Sequence, residues 1–133
     1  MFVSEGTVEE WRHMCDMNFV ALCLCAKLAV QSMRKLNVDD GHIININSIS
    51  GHRVPPTRVV HFYSGKEFAV GAITEGLRRE PRDLKSHIRA TKIRPGLVET
   101  EMAYVVDPER AKTLYCSIKT LQADDIADAI IFP

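Results

Sequence analysis

The sequence lacks an excess of either charge and lacks a long apolar run. Its 17 Lys and Arg balance 17 Asp and Glu, so the formal net charge of the 133 residues is zero. Without a basic block there is no electrostatic footprint for nucleic acid or for an anionic membrane. The longest apolar stretch, residues 19–30, is interrupted by Lys27 and is shorter than the roughly 20 residues that a membrane span needs. We therefore expect neither a nucleic-acid partner nor a membrane partner.

Metal-binding spacings are also missing. The four cysteines and five histidines contain neither a C-x2-C nor an H-x3-H pattern. Cys23 and Cys25 are two positions apart, so in a helix they point to different sides and do not readily share a metal. The sequence thus predicts no metal site and reduced thiols that pack as small hydrophobic groups. The start of the chain lacks the basic and apolar regions of a signal peptide, and none is expected.

The residues that are present predict one domain over residues 1–133, built from alternating helices and strands. Residues 7–10 have the pattern of a capping box, which predicts a helix that runs to about residue 36. Pro81 is expected to end the second long helix, because proline disfavours helical geometry in the residue before it. The other elements follow from periodicity and turn residues: strands over 42–47 and 87–93, and helices over 62–79, from 108 onward and over 123–132.

This order of elements is typical of a parallel α/β sheet with crossover helices. In such sheets ligands bind outside the carboxyl ends of the strands. The candidate chemistry therefore lies in residues 48–51, a serine-rich run after the first strand, and in residues 95–100 after the second. A serine run taken alone is more typical of a turn. Residues 102–106 are expected to form a mobile loop.

Two further features of the helices carry alternatives. Asn18 stands among apolar residues on the first helix, where an unpartnered buried amide would cost about 1–3 kcal/mol. Asn18 is then either a specific binding group or a core residue that bonds a nearby backbone carbonyl. Tyr63 begins the second helix and is either a reactive phenol or an amphipathic packing residue. Residues 19–30 are apolar almost all round, so a second layer or another subunit is expected to cover them.

Taken together and in this order, the motifs resemble the short-chain dehydrogenase/reductase family. The resemblance rests on Asn18, Ile43-Ile44-Asn45-Ile46-Asn47-Ser48, Phe62-Tyr63-Ser64 and Ile93-Arg94-Pro95-Gly96-Leu97-Val98-Glu99-Thr100. It implies an α/β, Rossmann-like parallel sheet with flanking helices, of which the family's N-terminal part and last strand are missing here. It also implies a cytoplasmic, dimeric oxidoreductase that uses NADP or NAD. The likeness is strongest to animal members that reduce keto groups on steroids and other carbonyls.

The resemblance also implies roles for single residues. Tyr63 matches the general acid/base that exchanges a proton with the substrate oxygen, and Ser48 matches the hydroxyl that holds this oxygen, with Ser50 as the second choice. Asn18 matches the asparagine that positions a water in the proton relay. Such a preoriented donor pair suits carbonyl reduction, in which the cofactor supplies the reducing equivalents. The segment that packs on the nicotinamide is matched by Pro95, Gly96, Val98 and Thr100.

The chain departs from the family pattern at the fourth residue after the tyrosine. The family has Tyr-x-x-x-Lys, whereas Glu67 occupies that position here and Lys66 comes one residue earlier. A tyrosine has a pKa near 10 and needs a nearby cation to act as an acid/base near neutrality. The negative charge of Glu67 is expected to raise the pKa of Tyr63. Lys66 points about 100° away around the helix, and whether it compensates is left open.

A second departure is that the sequence contains no Gly-x-Gly-x-x-Gly turn, the motif that cradles a pyrophosphate at a helix N-terminus. We therefore expect an impaired oxidoreductase that neither binds a dinucleotide tightly nor turns over. One alternative is a non-catalytic interaction module that pairs through its two long helices, with a second copy or with a full-length paralogue. A spliced product without a stable fold is a third possibility, because two strands with unpaired edges are a poor basis for folding.

Overall fold

The centre of the fold is a parallel pair of strands. A computed structural model describes residues 5–56, 60–83 and 85–132. In these ranges β1 (His42–Ile46) and β2 (Arg89–Ile93) pair in parallel, with His42 opposite Arg89 and Ile46 opposite Ile93. The Asn47 amide extends the ladder by donating to the Ile93 carbonyl at 2.8 Å. The parallel α/β fold predicted from the sequence is confirmed.

The N-terminal helix is continuous over Val8–Lys35 but changes its winding in the middle. It consists of α1 (Val8–Cys15), a π-helical segment (Asp16–Val20) and α2 (Ala21–Lys35). The predicted capping box is confirmed: the Glu10 amide donates to Thr7 Oγ1 at 3.2 Å, and the Thr7 amide donates to Glu10 Oε2 at 2.8 Å. The helix ends where Asn37 takes a positive φ of 54°, a conformation that asparagine tolerates.

Much of this helix is apolar and uncovered in the described part of the chain. Leu24 is 52 % exposed and Leu28 is 54 % exposed. By length and composition alone, Val8–Lys35 is long and apolar enough to cross a membrane. The exclusion of such a stretch because of Lys27 was therefore too strict. The core helix of a soluble protein passes the same test of length and composition, so the finding does not identify a membrane span.

The crossover helix α3 (His61–Asp83) packs on the sheet and holds more buried residues than any other described element. The Asn45 side chain on β1 donates to Thr74 Oγ1 at 2.9 Å, and Thr74 donates to the Val70 carbonyl at 2.9 Å. Val70 is buried. These contacts fix how far α3 stands from β1 and therefore where its first turns meet the end of the strand.

The prediction that α3 ends before Pro81 is wrong, because the helix continues to Asp83 with Pro81 buried inside it. A proline in a helix removes one N–H donor and crowds the preceding turn. Here the proline stands in the last turn of the helix, and it is buried. The helix ends at Asp83. Beyond it Lys85 has a φ of 55°, and the Ser86 amide donates to the Pro81 carbonyl at 2.8 Å.

The chain divides into two compact units, residues 1–94 and 95–133. The second unit contains α4 (Glu101–Val106), α5 (Pro108–Ser117) and α6 (Ala123–Ile131). The loop expected over residues 102–106 is therefore a helix, whose last turn is closed by the Asp107 amide on the Ala103 carbonyl at 2.9 Å. Fewer than two turns are too short to show a helical period in the sequence. Two compact units can belong to one domain, and the single domain over 1–133 stays a prediction.

Candidate functional site

Ser48 lies where β1 ends, in a tight turn against α3. It caps a one-turn 3-10 helix (Ile49–Gly51), with its Oγ accepting from the Ser50 amide at 3.1 Å. The Asn47 side chain joins this turn to α3, because it accepts from the Ser48 amide at 2.6 Å and donates to the Glu67 carbonyl at 3.0 Å. A Cβ on Gly51 would come within 2.7 Å of that same carbonyl. The turn is thus closely packed on α3, and the serine positions are fixed in space.

Tyr63 lies half-buried on the first turn of α3 and interacts with Ser48. Burial is the largest influence and raises the pKa of the Tyr63 phenol above its ordinary value of 10.0. Hydrogen bonding to Ser48 lowers this pKa, whereas the charge of Glu67 and hydrogen bonding to it raise it. The predicted effect of Glu67 is confirmed in direction. Burial, the larger cause, was missed because it depends on contacts that sequence spacing does not reveal.

Lys66 and Glu67 form a buried ion pair beside this phenol. Lys66 Nζ donates to Glu67 Oε1, and the two residues are only 7 % and 4 % exposed. The ammonium nitrogen also lies 4.6 Å from the centroid of the Tyr63 ring. Lys66 therefore does reach Tyr63 despite its position one residue early on the helix. It arrives over the face of the ring with its charge paired to a carboxylate.

Asn18 lies in the π-helical segment and is exposed. Its side-chain amide donates to the Met14 carbonyl at 3.2 Å, one turn earlier in the same helix. The expectation that Asn18 is buried is wrong, since the described residues leave this face of the helix uncovered. The alternative, an asparagine that bonds a backbone carbonyl, agrees with this contact. A role in a proton relay stays a prediction.

The segment that holds Pro95, Gly96, Val98 and Thr100 belongs to the second compact unit. Its middle is extended and paired with Leu121: the Leu121 amide donates to the Leu97 carbonyl, and the Glu99 amide donates to the Leu121 carbonyl, both at 2.9 Å. Tyr115 ties down the next residues by donating through its hydroxyl to the carbonyls of Val98 at 3.2 Å and Thr100 at 3.4 Å. The unit thus presents an anchored, extended backbone.

Gly96 and its neighbours fit one end of a dinucleotide. A Cβ built on Gly96 meets no atom within 4 Å, so a flat ring has room to approach this backbone. In the ranges that the structure describes, no glycine has a positive φ. The residues present therefore fit the nicotinamide end of the cofactor, and the sequence lacks the glycine-rich turn that would hold the pyrophosphate.

Two features of the site were not anticipated from the sequence. Ser64 is buried next to Tyr63, and its Oγ has no hydrogen-bond partner within the described ranges. Lys66 and Glu67 face each other although adjacent residues on a helix ordinarily do not. The only signal for either was proximity to Tyr63 in the sequence. Within the same ranges, no three His, Cys, Asp or Glu side chains are grouped so that they could hold a metal ion.

Comparison with known proteins identifies a family for most of this chain. The family model described as short chain dehydrogenase matches residues 1–111. Dehydrogenase/reductase SDR family member 11 is 55 % identical over 130 residues in Gallus gallus and 52 % identical in Homo sapiens. Each match covers 96 % of this chain but 51 % and 50 % of the relative, so the chain spans about half the length of these relatives.

Solved structures agree with the fold. A closed form of serine dehydrogenase complexed with NADP+ superposes with a TM-score of 0.86 at 28 % identity, covering 98 % of this chain and 52 % of the other. The structure described as ElxO with NADP bound gives a TM-score of 0.77 at 25 % identity, covering 98 % of this chain and 53 % of the other. Both similar proteins were solved with the same dinucleotide.

Proposed function

Because the chain belongs to the short-chain dehydrogenase family, we propose that it carries the proton-transfer half of an NAD(P)-dependent oxidoreductase. The proposed reaction is the reduction of a carbonyl, with ketosteroids among the candidate substrates, or the reverse oxidation of an alcohol. The observation that carries this proposal is the interaction of Ser48 with Tyr63 at the carboxyl end of β1. Ligands of parallel sheets bind at this edge. The two similar solved structures, both with NADP bound, support NADP as the cofactor, with NAD as the alternative that the family resemblance implies.

In the proposed reaction the two hydroxyls act on one oxygen atom. The Ser48 hydroxyl and the Tyr63 phenol donate hydrogen bonds to the carbonyl oxygen, which makes the carbonyl carbon more electrophilic. When bound, the reduced nicotinamide supplies the hydride that this carbon accepts. The Tyr63 O–H bond breaks as its proton moves to the oxygen, so the products are an alcohol and a phenolate on Tyr63. Pro95, Gly96, Val98 and Thr100 would hold the nicotinamide end.

We expect the chain by itself neither to bind a dinucleotide tightly nor to turn over. The glycine-rich turn with which the family binds the pyrophosphate does not occur in the 133 residues. The Lys66 ammonium, which would otherwise be free to bind a ribose hydroxyl, is paired with Glu67. Both features weaken dinucleotide binding. A proton relay through Asn18 belongs to the same proposal.

A chimaera tests the proposal directly. The N-terminal half of the Gallus gallus relative would be joined ahead of this chain, and the oxidation of NADPH followed with a ketosteroid and with a dicarbonyl. We expect the chimaera to reduce at least one of them and the chain alone to show no turnover. A folded chimaera that is inactive with both substrates contradicts the proposed activity. Turnover by the chain alone contradicts the expectation of weak binding.

Exposed apolar side chains favour a second, non-catalytic function. Leu24, Leu28 and Phe68, which is 46 % exposed, lie on the two long helices α2 and α3. Exposed apolar patches are typical of protein–protein contacts. We propose that the chain pairs through these helices, with a second copy or with a full-length paralogue, and that it is cytoplasmic. Light scattering that shows a monomer, or recovery of the chain with membranes on fractionation, counts against this function.

A further inference from the structure

The Lys66–Glu67 ion pair is a defined structural unit and not a chance surface contact. Adjacent residues on an α-helix point about 100° apart, so both side chains must bend toward each other to meet. Exposed charges gain little from such pairing. A buried charge, however, is costly unless it is paired, and both residues are almost fully buried. Burial therefore enforces this pairing.

The ion pair is also oriented toward Tyr63. Glu67 follows Tyr63 by four residues, which places the two side chains on one face of α3, and its carboxylate accepts hydrogen bonding from the phenol. Lys66 adds its ammonium at 4.6 Å from the ring centroid. An unpaired cation at this distance would favour the phenolate. The carboxylate cancels that charge.

The neighbouring elements contribute other groups around the pair. From the end of β1, Ser48 contributes a neutral hydroxyl. From β2, the Lys92 ammonium donates to the Gly71 carbonyl at 3.3 Å, one turn beyond Glu67. Cys15 at the end of α1 and His61 at the start of α3 line a cavity of about 420 Å³ together with Lys66. The charges that the described contacts bring directly to the Tyr63 phenol and ring are those of Lys66 and Glu67.

We infer that Glu67 is a positioning residue that locks the Lys66 ammonium onto itself and keeps Tyr63 as a protonated phenol, so that the site donates protons and does not accept them near neutral pH. The inference rests on the proposed function and adds that the site favours reduction over oxidation near neutral pH. In reduction the phenolic O–H bond breaks and the proton moves to the substrate oxygen. In oxidation the alcohol proton must move to a phenolate. Reduction therefore persists into the alkaline range, whereas oxidation requires higher pH.

Titration of the tyrosines in this chain tests the inference without turnover. Ultraviolet absorbance follows phenolate formation, and the difference between the wild type and Tyr63→Phe isolates Tyr63 among the three tyrosines. In Glu67→Gln the carboxylate charge is lost at constant size and the ammonium is released. We expect tenfold or more phenolate at a fixed alkaline pH. The matched control is Glu75→Gln on the same helix, whose carboxylate pairs with Arg78 and Arg79 and which should leave Tyr63 unchanged.

Lys66→Met keeps the test decisive where Glu67→Gln fails to fold. With the ammonium gone and Glu67 intact, Tyr63 should ionise at a higher pH than in the wild type, and the double variant Lys66→Met/Glu67→Gln should lie between the two single variants. An unchanged Tyr63 titration in folded Glu67→Gln, or in folded Lys66→Met, overturns the inference. The result does not depend on turnover, so an inactive chimaera with these shifts overturns the proposed function alone.

Discussion

Of the two long helices of this chain, the more apolar one is the less buried, whereas apolar helices are usually the more buried. The more apolar of them, α2, leaves Leu24 and Leu28 half-exposed, whereas α3 buries Ser64, Lys66, Glu67 and Thr74. The reason is position: α3 crosses between the two strands and packs on them, while the described residues cover one side of α2. Burial in this protein thus follows topology, and polar groups are stabilised wherever topology brings partners to them.

The largest expected effect comes from a change at the polar site on α3. In the chimaera, Tyr63→Phe removes the phenolic proton and leaves the ring, so turnover should fall by about 10²–10⁴-fold with the same thermal stability. The measurement is NADPH oxidation at saturating carbonyl substrate. Tyr104→Phe, in α4, is the control and should keep normal turnover. A Tyr63→Phe chimaera with normal turnover would assign the proton to another group.

A second change tests the buried hydrogen bonds between α3 and the sheet. We call the group formed by Asn45, Thr74 and the Val70 carbonyl the polar seam. Thr74→Ala removes the acceptor of the Asn45 amide and the donor to the Val70 carbonyl. Leaving such a buried group unsatisfied should reduce the free energy of unfolding by about 1–3 kcal/mol, as measured in urea. Thr113→Ala in α5, where the hydroxyl also donates to the carbonyl four residues earlier but is exposed, serves as the control. An equal loss in both variants contradicts a special role for the seam.

A third change tests whether the apolar face of α2 is open to solvent. If the face of α2 is open in the monomer, Leu24→Gln should change the free energy of unfolding by about 0.5 kcal/mol or less. If two copies pair through this face, the same change should shift the particle mass in light scattering toward the monomer. Lys27→Gln, on an exposed position of the same helix, is the matched control. A large loss of stability in a chain that is already monomeric would show that the face is covered from within.

The smallest expected effect concerns pH at the other end of the sheet. Hydrogen bonds from Ser86 and His87 lower the pKa of Asp39 from 3.8 to about 2. A folded-state pKa below the unfolded value stabilises the fold above pH 3.8 and loses that contribution as pH falls toward 2. Asp39→Asn should therefore have a slightly lower Tm than the wild type at pH 6 and the same Tm at pH 2. A difference that grows toward pH 2 would contradict this sign.

Local signals made several elements predictable. The capping box at Thr7 and Glu10 and the helix start at Asp107-Pro108 depend on hydrogen bonds within one turn, so they are visible in any short window. The positions of Ser48 and Tyr63 at the carboxyl end of β1 followed from strand order and family motifs. Pro81 misled because its effect depends on how the surrounding turn is buried. The burial of Asn18 was predicted wrongly, because apolar neighbours in the sequence do not ensure that other residues pack over a side chain.

The order of helices and strands, the parallel pairing and the membership of the short-chain dehydrogenase family were already determined by the amino-acid sequence. These properties arise from neighbours within a few residues or from motif order. Only the tertiary structure decided that Lys66 reaches the Tyr63 ring, that Glu67 neutralises it and that burial raises the pKa of the phenol further. The reason is physical: the protonation of a buried group depends on charges and solvent in three dimensions, and spacing along the chain specifies neither.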